Sequence, residues 1–176
     1  RLLAALRERN LYDNTIIVFT SDHGEEFSEH GGQYHYTLYG EIIKVPLVIR
    51  APFLEPRVDH TPVEQIDLLP TILRMCGMRS HKQFPGRDIF NEDYEGRPVF
   101  IERNRPPPYI QRGIIFGNHK LIVITLADIN SIPRRSRETD SSVTNVKEGV
   151  YMYDLSNDPD EQKNVYDEND QTARRL

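Results

Sequence analysis

Two short apolar runs, residues 15–20 and residues 45–49, constrain the fold more than any other feature of this sequence. Neither run alternates polar and apolar side chains, and such runs are typical of strands buried on both faces of a parallel sheet. Residues 37–44 lie between them and carry apolar side chains at helical spacing. The order helix, strand, helix, strand predicts an α/β fold whose core is the end of a mostly parallel sheet flanked by helices.

Helices are predicted on both sides of this core. Residues 2–10 carry a leucine stripe that indicates an amphipathic helix. An irregular, proline-rich passage covers residues 51–63, and a wide apolar face over residues 65–77 predicts a helix that packs on the sheet. Asp67 suits the N-cap of that helix, and Gly77 suits the position just after its last turn.

The second half of the chain has a different pattern of apolar residues. Its short apolar runs, separated by turn signals such as Gly117-Asn118, predict a small antiparallel sheet. The runs are residues 98–101, 110–116, 120–125 and 150–154. Residues 126–149 are too polar to form a core, and we expect a mobile loop there. The sequence thus predicts two units, a core part at 1–93 and an antiparallel subdomain at 94–176.

Composition excludes several classes of protein. The chain of 176 residues has 22 Lys plus Arg and 27 Asp plus Glu, a net charge of −5, whereas a nucleic-acid binder needs a concentrated basic face. No apolar run approaches the roughly 20 residues of a membrane span. The single cysteine, Cys76, excludes an internal disulfide framework and a cysteine-based zinc site. The oligomeric state stays open.

The first residue is also informative. Arg1 is neither an initiator methionine nor the start of a signal peptide, because no apolar stretch of the required length follows it. The chain begins within the leucine stripe of the first predicted helix. We therefore expect it to be a piece of a longer protein.

The segment that indicates chemistry follows the first strand directly. Asp22 and His23 stand at the carboxyl end of that strand, where open α/β sheets place their ligands. A carboxylate and an imidazole are typical ligands of a divalent cation, and Gly24 permits a sharp backbone turn behind them. On these residues alone, a second interpretation stays open, in which Asp22 caps a turn and His23 lies on an ordinary loop.

Further motifs follow in order, and together they resemble the sulfatase family of the alkaline phosphatase superfamily across residues 5–165. The motifs are Ser21-Asp22-His23-Gly24, His30-Gly31-Gly32, His35 followed four residues later by Tyr39, Val45-Pro46-Leu47, Asp67-Leu68-Leu69-Pro70-Thr71, Phe84-Pro85-Gly86-Arg87, and Tyr153-Asp154-Leu155 with Asp158-Pro159-Asp160-Glu161. Each motif alone is weak, whereas the whole series in this order is specific.

The resemblance implies roles for individual residues. Asp22 and His23 match two ligands of one divalent cation, which in this family is most often Ca²⁺ and is completed by residues outside this chain. His35 occupies a position that usually holds a lysine, which contacts the sulfate and helps to protonate the leaving group; a histidine can also do this. His30 is a candidate for substrate binding, with an ordinary loop histidine as the alternative. Glu25 and Glu26 are expected to be solvated.

The family nucleophile, a formylglycine made from cysteine or serine, has no counterpart here. Cys76 is followed by Gly77-Met78-Arg79 instead of the family's x-Pro-Ser-Arg, so the formylglycine is expected upstream of this chain. The resemblance therefore implies the C-terminal fragment of a metal-dependent sulfuric ester hydrolase, inactive by itself. Its substrate would be a sulfate ester, such as a glycan or aryl sulfate, and its location exported or lysosomal.

Two alternatives remain at this point. The histidine at position 35, and a glycine at position 40 where the family usually has an acid, leave room for a phosphoryl-transfer enzyme of the same superfamily. This class includes phosphodiesterases, phosphonate hydrolases and phosphoethanolamine transferases. The second alternative is a non-catalytic module for assembly or docking. Arg134, Arg135 and Arg137 are expected to be solvated in the polar loop.

Overall fold

The computed structural model describes residues 1–91, 93–94, 97–103, 109–126 and 146–176. The helices are α1 (Leu2–Glu8), α2 (Gly40–Ile43) and α3 (Leu68–Met75), with short 3-10 helices at Tyr12–Asn14 and Gln65–Asp67. The strands are β1 (Ile17–Thr20), β2 (Glu26–Phe27), β3 (Gln33–Tyr34), β4 (Leu47–Arg50), β5 (Val99–Arg103), β6 (Tyr109–Phe116), β7 (His119–Leu126) and β8 (Gly149–Asp154). Most of the predicted mobile loop at 126–149, with Arg134, Arg135 and Arg137, lies outside the described residues.

The α/β class is confirmed, but the mostly parallel sheet is wrong for the strands that the structure describes. β1 and β4 pair antiparallel, with Thr20 opposite Leu47. A parallel pair needs a long crossover that returns to the other end of the sheet, usually through a helix. Residues 21–46 instead form the antiparallel hairpin β2–β3 and the single turn of α2, so the chain returns to the end at which it left β1.

The prediction that both strands are buried on two faces is also wrong within this chain. Phe19 and Val48 are paired across β1 and β4, and their exposed fractions are 62% and 58%. The helix predicted over residues 37–44 shrinks to α2 because Leu38 and Tyr39 continue in extended conformation into the core. Among the described residues, no helix is long and apolar enough to cross a lipid bilayer.

The predicted antiparallel sheet is confirmed. Its order is β5-β6-β7-β8 with every neighbouring pair antiparallel. The turn at Gly117-Asn118 joins β6 to β7, with Phe116 opposite His119, and Gly117 has a φ of 58°, which glycine adopts without steric cost. This explains why turn chemistry and period-2 patterning located these strands correctly from sequence.

The core lies between the sheet and the segment that leads into α2. Leu38 is buried against Ile122, Ile124 and Tyr153, and Tyr39 packs at the edge of this cluster. The core therefore joins residues from both sides of the predicted boundary at 93/94. That boundary remains a prediction.

Asp67 is a second structural centre. The predicted N-cap role is not its main one, because its side chain makes no cap hydrogen bond to α3. The fully buried carboxylate instead accepts hydrogen bonds from the Arg87 backbone N–H (2.8 Å), the Tyr94 hydroxyl (2.5 Å) and Arg97 Nη2 (2.5 Å). Burial and the hydrogen bond to Asp67 raise the pKa of Tyr94. Gly77 does end α3 with a φ of 71°, and Cys76 before it is exposed.

We expect Asp67→Ala to lower the free energy of unfolding by about 1–3 kcal/mol, since it removes the buried acceptor of the Tyr94 hydroxyl and of the Arg87 N–H. It also removes one of the two carboxylates that pair with Arg97, and Glu64 is the other. Chemical denaturation of the intact protein measures this. Asp93→Ala, at an exposed position, is the control and should change stability by less than about 0.5 kcal/mol. Equal effects of the two substitutions would contradict this role of Asp67.

Candidate active site

The Asp22–His23 pair lies just beyond the end of β1, and its two side chains lie close to each other. His23 Nε2 is 3.8 Å from Asp22 Oδ2, and the His23 backbone N–H donates to Asp22 Oδ1 (3.0 Å). His23 Nδ1 is 2.8 Å from the Gly24 carbonyl oxygen, which can only accept, so Nδ1 carries the proton. The lone pair of Nε2 and the Asp22 carboxylate are thus free to bind a cation together, which fits the predicted ligand pair.

The loop that carries this pair is fixed by its neighbours. Gln65 Nε2 donates to the carbonyl oxygens of Ser21 (2.8 Å) and Asp22 (2.7 Å), and Ser21 Oγ donates to the carbonyl of His23 (2.7 Å). Backbone hydrogen bonds and the nearby His23 lower the pKa of Asp22. Asp22 is therefore ionised at neutral pH, as a metal ligand must be.

Gly24 brings the loop into direct contact with α2. Its N–H donates to the Ile42 carbonyl (2.7 Å), and a Cβ at this position would lie 1.9 Å from the Glu41 carbonyl oxygen. Only glycine permits this approach, since any side chain would overlap the backbone of α2. Gly24, which follows His23, therefore packs directly against the backbone of α2.

His35 lies beside the Asp22–His23 pair. Its ring stacks on that of His23 with 4.3 Å between centroids and 27° between planes. Its Nδ1 is 3.7 Å from Glu25 Oε1, and both side chains are partly exposed. Tyr34, the last residue of the β2–β3 hairpin, has a positive φ of 68°, which turns the chain back toward His23. The structure thus brings together the three residues that the resemblance implied.

His30 lies apart from this group and is enclosed. Its Nδ1 is 2.7 Å from Glu41 Oε1, and its Nε2 is 3.0 Å from the Asp160 carbonyl and 3.1 Å from the Glu161 carbonyl. Its ring stacks on Tyr39 with 3.7 Å between centroids. Burial acts to lower the pKa of His30, but the Glu41 carboxylate outweighs it, and the net shift is upward. A substrate contact by His30 remains a prediction.

Glu26 is buried, so its predicted solvation is wrong. The carboxylate is 2% exposed and accepts from the backbone N–H of His30 (3.2 Å), the N–H of Gly32 (2.8 Å) and Thr37 Oγ1 (3.2 Å). Atoms of Glu26, His30 and Glu41 lie within 4.8 Å of one another, a donor set that is suitable for a metal. Because hydrogen bonds within the chain already use these groups, we assign the cluster a structural role.

Sequence reasoning missed a buried ion pair. Lys120 Nζ is 2.7 Å from Glu161 Oε2, and the two side chains are 0% and 1% exposed. Burial lowers the pKa of Lys120, and the Glu161 charge opposes this shift. A signal was present in the sequence: Lys120 alternates with Ile122 and Ile124 on one face of β7, which places it in the core, where a lysine requires a partner.

Two clefts of about 310 and 260 Å³ lie elsewhere on the described surface. The first is lined by residues such as Tyr94 and Arg97, and the second by residues such as Tyr39 and Gln111. Neither is lined by Asp22, His23 or His35. We place the candidate site at the two histidines because their chemistry, and not the depth of a cleft, identifies it.

Comparison with solved structures shows which proteins share this fold. The chain aligns with a phosphonate monoester hydrolase from Silicibacter pomeroyi (TM-score 0.74, 23% identity, 99% of this chain and 35% of that one). It also aligns with a protein solved in complex with its substrate D-glucosamine-2-N,6-O-disulfate (TM-score 0.71, 23% identity, 99% of this chain and 34% of that one). These alignments show that the chain shares its fold with both proteins.

The chain contains a sulfatase-family domain, as the motifs predicted. The sulfatase family model matches residues 1–78. An uncharacterized sulfatase, YidJ of Escherichia coli K12, is 34% identical over 159 residues, which are 89% of this chain and 29% of that protein. The chain thus spans about a third of the length of the proteins that it matches.

The raised pKa of His30 predicts a pH dependence of stability. A histidine with a raised pKa stabilises the folded state below its unfolded pKa of about 6.5, and this contribution disappears as the pH rises through the folded value. The charged groups that act on the ring are Glu41 and Asp158, and the neutral backbone carbonyls of residues 160 and 161 accept hydrogen bonds from it. The unfolding free energy of wild type minus that of His30→Gln should therefore be largest near pH 5.5 and decline toward pH 8.5.

Denaturation at several pH values measures this difference. His81→Gln, at an exposed loop position, is the matched control, and its difference from wild type should stay flat. A difference for His30→Gln that grows with increasing pH would contradict the assignment.

Proposed function

We propose that this chain is part of a metal-dependent sulfuric ester hydrolase in which Asp22 and His23 hold a divalent cation and His35 contacts the sulfate group. The observation that carries this proposal is the stack of His35 on His23 beside Asp22. The stack supports the proposal because hydrolysis of a charged ester needs a proton donor beside a bound cation. The sulfatase-family domain supports hydrolysis as the reaction class.

The donor set suits a hard divalent cation such as Ca²⁺, although that ion takes about six to eight mostly oxygen ligands, so other residues must complete the shell. A bound cation supplies positive charge for an oxygen of the ester. Asp22 stays ionised, and the hydrogen bond from Nδ1 fixes His23 in the tautomer with a free Nε2. Gln65 prevents the loop from turning away, since its amide holds two of the loop carbonyls.

His35 has the position and the chemistry to bind the transferred group. An imidazole can donate a hydrogen bond to a sulfate oxygen or a proton to the departing alcohol. Glu25 Oε1 and His35 Nδ1 lie 3.7 Å apart, and both atoms are buried without a hydrogen-bond partner in the described residues. A small movement on substrate binding would join them and fix the ring orientation.

A sulfated sugar or an aryl sulfate is the substrate class that we propose. The structural neighbour solved with a disulfated glucosamine supports a sulfated sugar, since it has the same fold. A formylglycine nucleophile outside this chain, and an exported or lysosomal location, are part of the same proposal. Cys76 does not fit the nucleophile, because it is exposed at the end of α3, on a helix separate from the Asp22–His23 loop.

Phosphoryl transfer is the second candidate. The fold is shared with a phosphonate monoester hydrolase, so the fold alone does not select sulfate over phosphate. The imidazole of His35 is compatible with either anion. Assaying the intact protein with an aryl sulfate and an aryl phosphonate ester side by side separates the two candidates, because the ratio of their kcat/KM values gives the preferred class.

Asp22→Asn tests the cation site. Removing the charged ligand should weaken the affinity for Ca²⁺ by at least about 100-fold, since loss of outer partners alone typically causes about 10- to 100-fold. Titration calorimetry of the intact protein measures the affinity, and activity should fall in parallel. Asp59→Asn, an exposed carboxylate on another loop, is the control. Unchanged affinity in Asp22→Asn would refute the cation site.

Substitutions at position 35 test the second role. We expect His35→Ala to lower kcat by about 10²- to 10⁴-fold, the usual contribution of general acid–base catalysis. His35→Lys restores a cationic donor and should recover part of this loss with a sulfate ester. If alanine and lysine reduce kcat equally, the ring acts only by stacking on His23.

A further inference from the structure

We propose that the turn Asp158–Glu161, near the end of the chain, positions the Asp22–His23 pair through His30 and Glu41. The inference rests on the proposed function, because it treats that pair as the reactive centre. It makes His30 and the turn positioning elements of the site, although neither contacts Asp22 or His23 within the described structure. Three consecutive sets of contacts carry it.

The first set fixes the turn to the four-stranded sheet. Glu161 forms the buried ion pair with Lys120 of β7. Asp158 shapes the turn, since its carboxylate accepts from the backbone N–H of Gln162 (3.0 Å) and of Lys163 (2.8 Å). Glu161 has a φ of 55°, a left-handed conformation that is unfavourable for a non-glycine residue. The buried ion pair holds the residue in this conformation.

The second set joins the turn to Glu41. His30 donates from Nε2 to the carbonyls of residues 160 and 161 and from Nδ1 to the Glu41 carboxylate. Gln162 Nε2 also lies 3.3 Å from His30 Nε2, but the two carbonyl oxygens are closer and accept only. The ring therefore carries both protons, and its hydrogen bonds link the turn to the Glu41 carboxylate. Stacking on Tyr39 fixes its plane.

The third set joins Glu41 to the candidate site. The Glu41 side chain binds His30, and the Glu41 backbone carbonyl lies directly against Gly24. The next carbonyl, that of Ile42, accepts a hydrogen bond from the Gly24 N–H. Gly24 follows His23 directly, so a displacement of α2 moves the ligand pair. Because the contact leaves no room for even one added carbon, α2 and the loop must move together.

Asp158→Ala tests this path without touching the candidate site. It removes a half-buried carboxylate that shapes the turn and lies outside the candidate site, and the protein should stay folded. Asp170→Ala is the matched control, since Asp170 also accepts a backbone N–H, that of Thr172 (2.7 Å). Amide hydrogen exchange of the metal-free intact protein is the first measurement. We expect exchange at residues 21–25 to be faster in Asp158→Ala than in Asp170→Ala, by about 10-fold.

Affinity for Ca²⁺ is the second measurement, and it should weaken by about 10-fold in Asp158→Ala, the lower end of the effect of outer partners on metal sites. In steady-state assays kcat should fall more than KM rises. Asp158→Asn keeps one acceptor oxygen for the turn and should restore part of each effect. His30→Gln removes the imidazole that links the turn to Glu41 and should reproduce the exchange result. This variant replaces Asp158→Ala in the experiment if Asp158→Ala proves unstable.

The two proposals fail in different ways. If wild type binds no cation while exchange at residues 21–25 still responds to Asp158→Ala, the proposed function fails and the mechanical coupling stands. If wild type binds Ca²⁺ and hydrolyses its ester, but Asp158→Ala and His30→Gln behave like Asp170→Ala in exchange and in affinity, the coupling is overturned.

Discussion

The pairing of charges inside the chain is the constraint on which the structure depends. The alternation of β7 places Lys120 on the same face as Ile122 and Ile124, and an unpaired ammonium there would be too costly to bury. Glu161 supplies the partner at 2.7 Å and in doing so brings the end of the chain onto the sheet. The carbonyls of that turn then become the acceptors for His30. One buried pair thus determines where a segment distant in sequence meets His30.

The candidate site is assembled from the backbone as much as from side chains. The Asp22–His23 loop is held by the Gln65 amide on one side and by the carbonyl of Ile42 on another. His35 reaches His23 because a short hairpin reverses the chain. Such a framework brings Asp22, His23 and His35 together outside the two clefts of the described surface. The chain spans about a third of its sulfatase relatives, and the described residues supply this part of the centre.

Local sequence patterns correctly predicted the strands, turns and helix end, because these depend on residues that are close together in the chain. Period-2 alternation and Gly117 located the four-stranded antiparallel sheet, and Gly77 marked the end of α3. Strand direction was missed because the apolar content of β1 is the same in parallel and antiparallel neighbours; only the path of residues 21–46 decides it. The burial of Glu26 was missed for a similar reason, since its partners are backbone groups of a loop that no pattern describes.

The sequence by itself determined the resemblance to the sulfatase family, because a strand followed by Asp22-His23-Gly24 and an ordered series of motifs is readable without coordinates. Tertiary structure alone decided that His35 stacks on His23, that His30 bridges Glu41 to the C-terminal turn, and that Lys120 pairs with Glu161. These contacts join residues far apart along the chain. They form only when the chain folds and brings these residues together. Burial and charge pairing select them, and both depend on segments that are distant in the sequence, so a local sequence pattern does not contain the information.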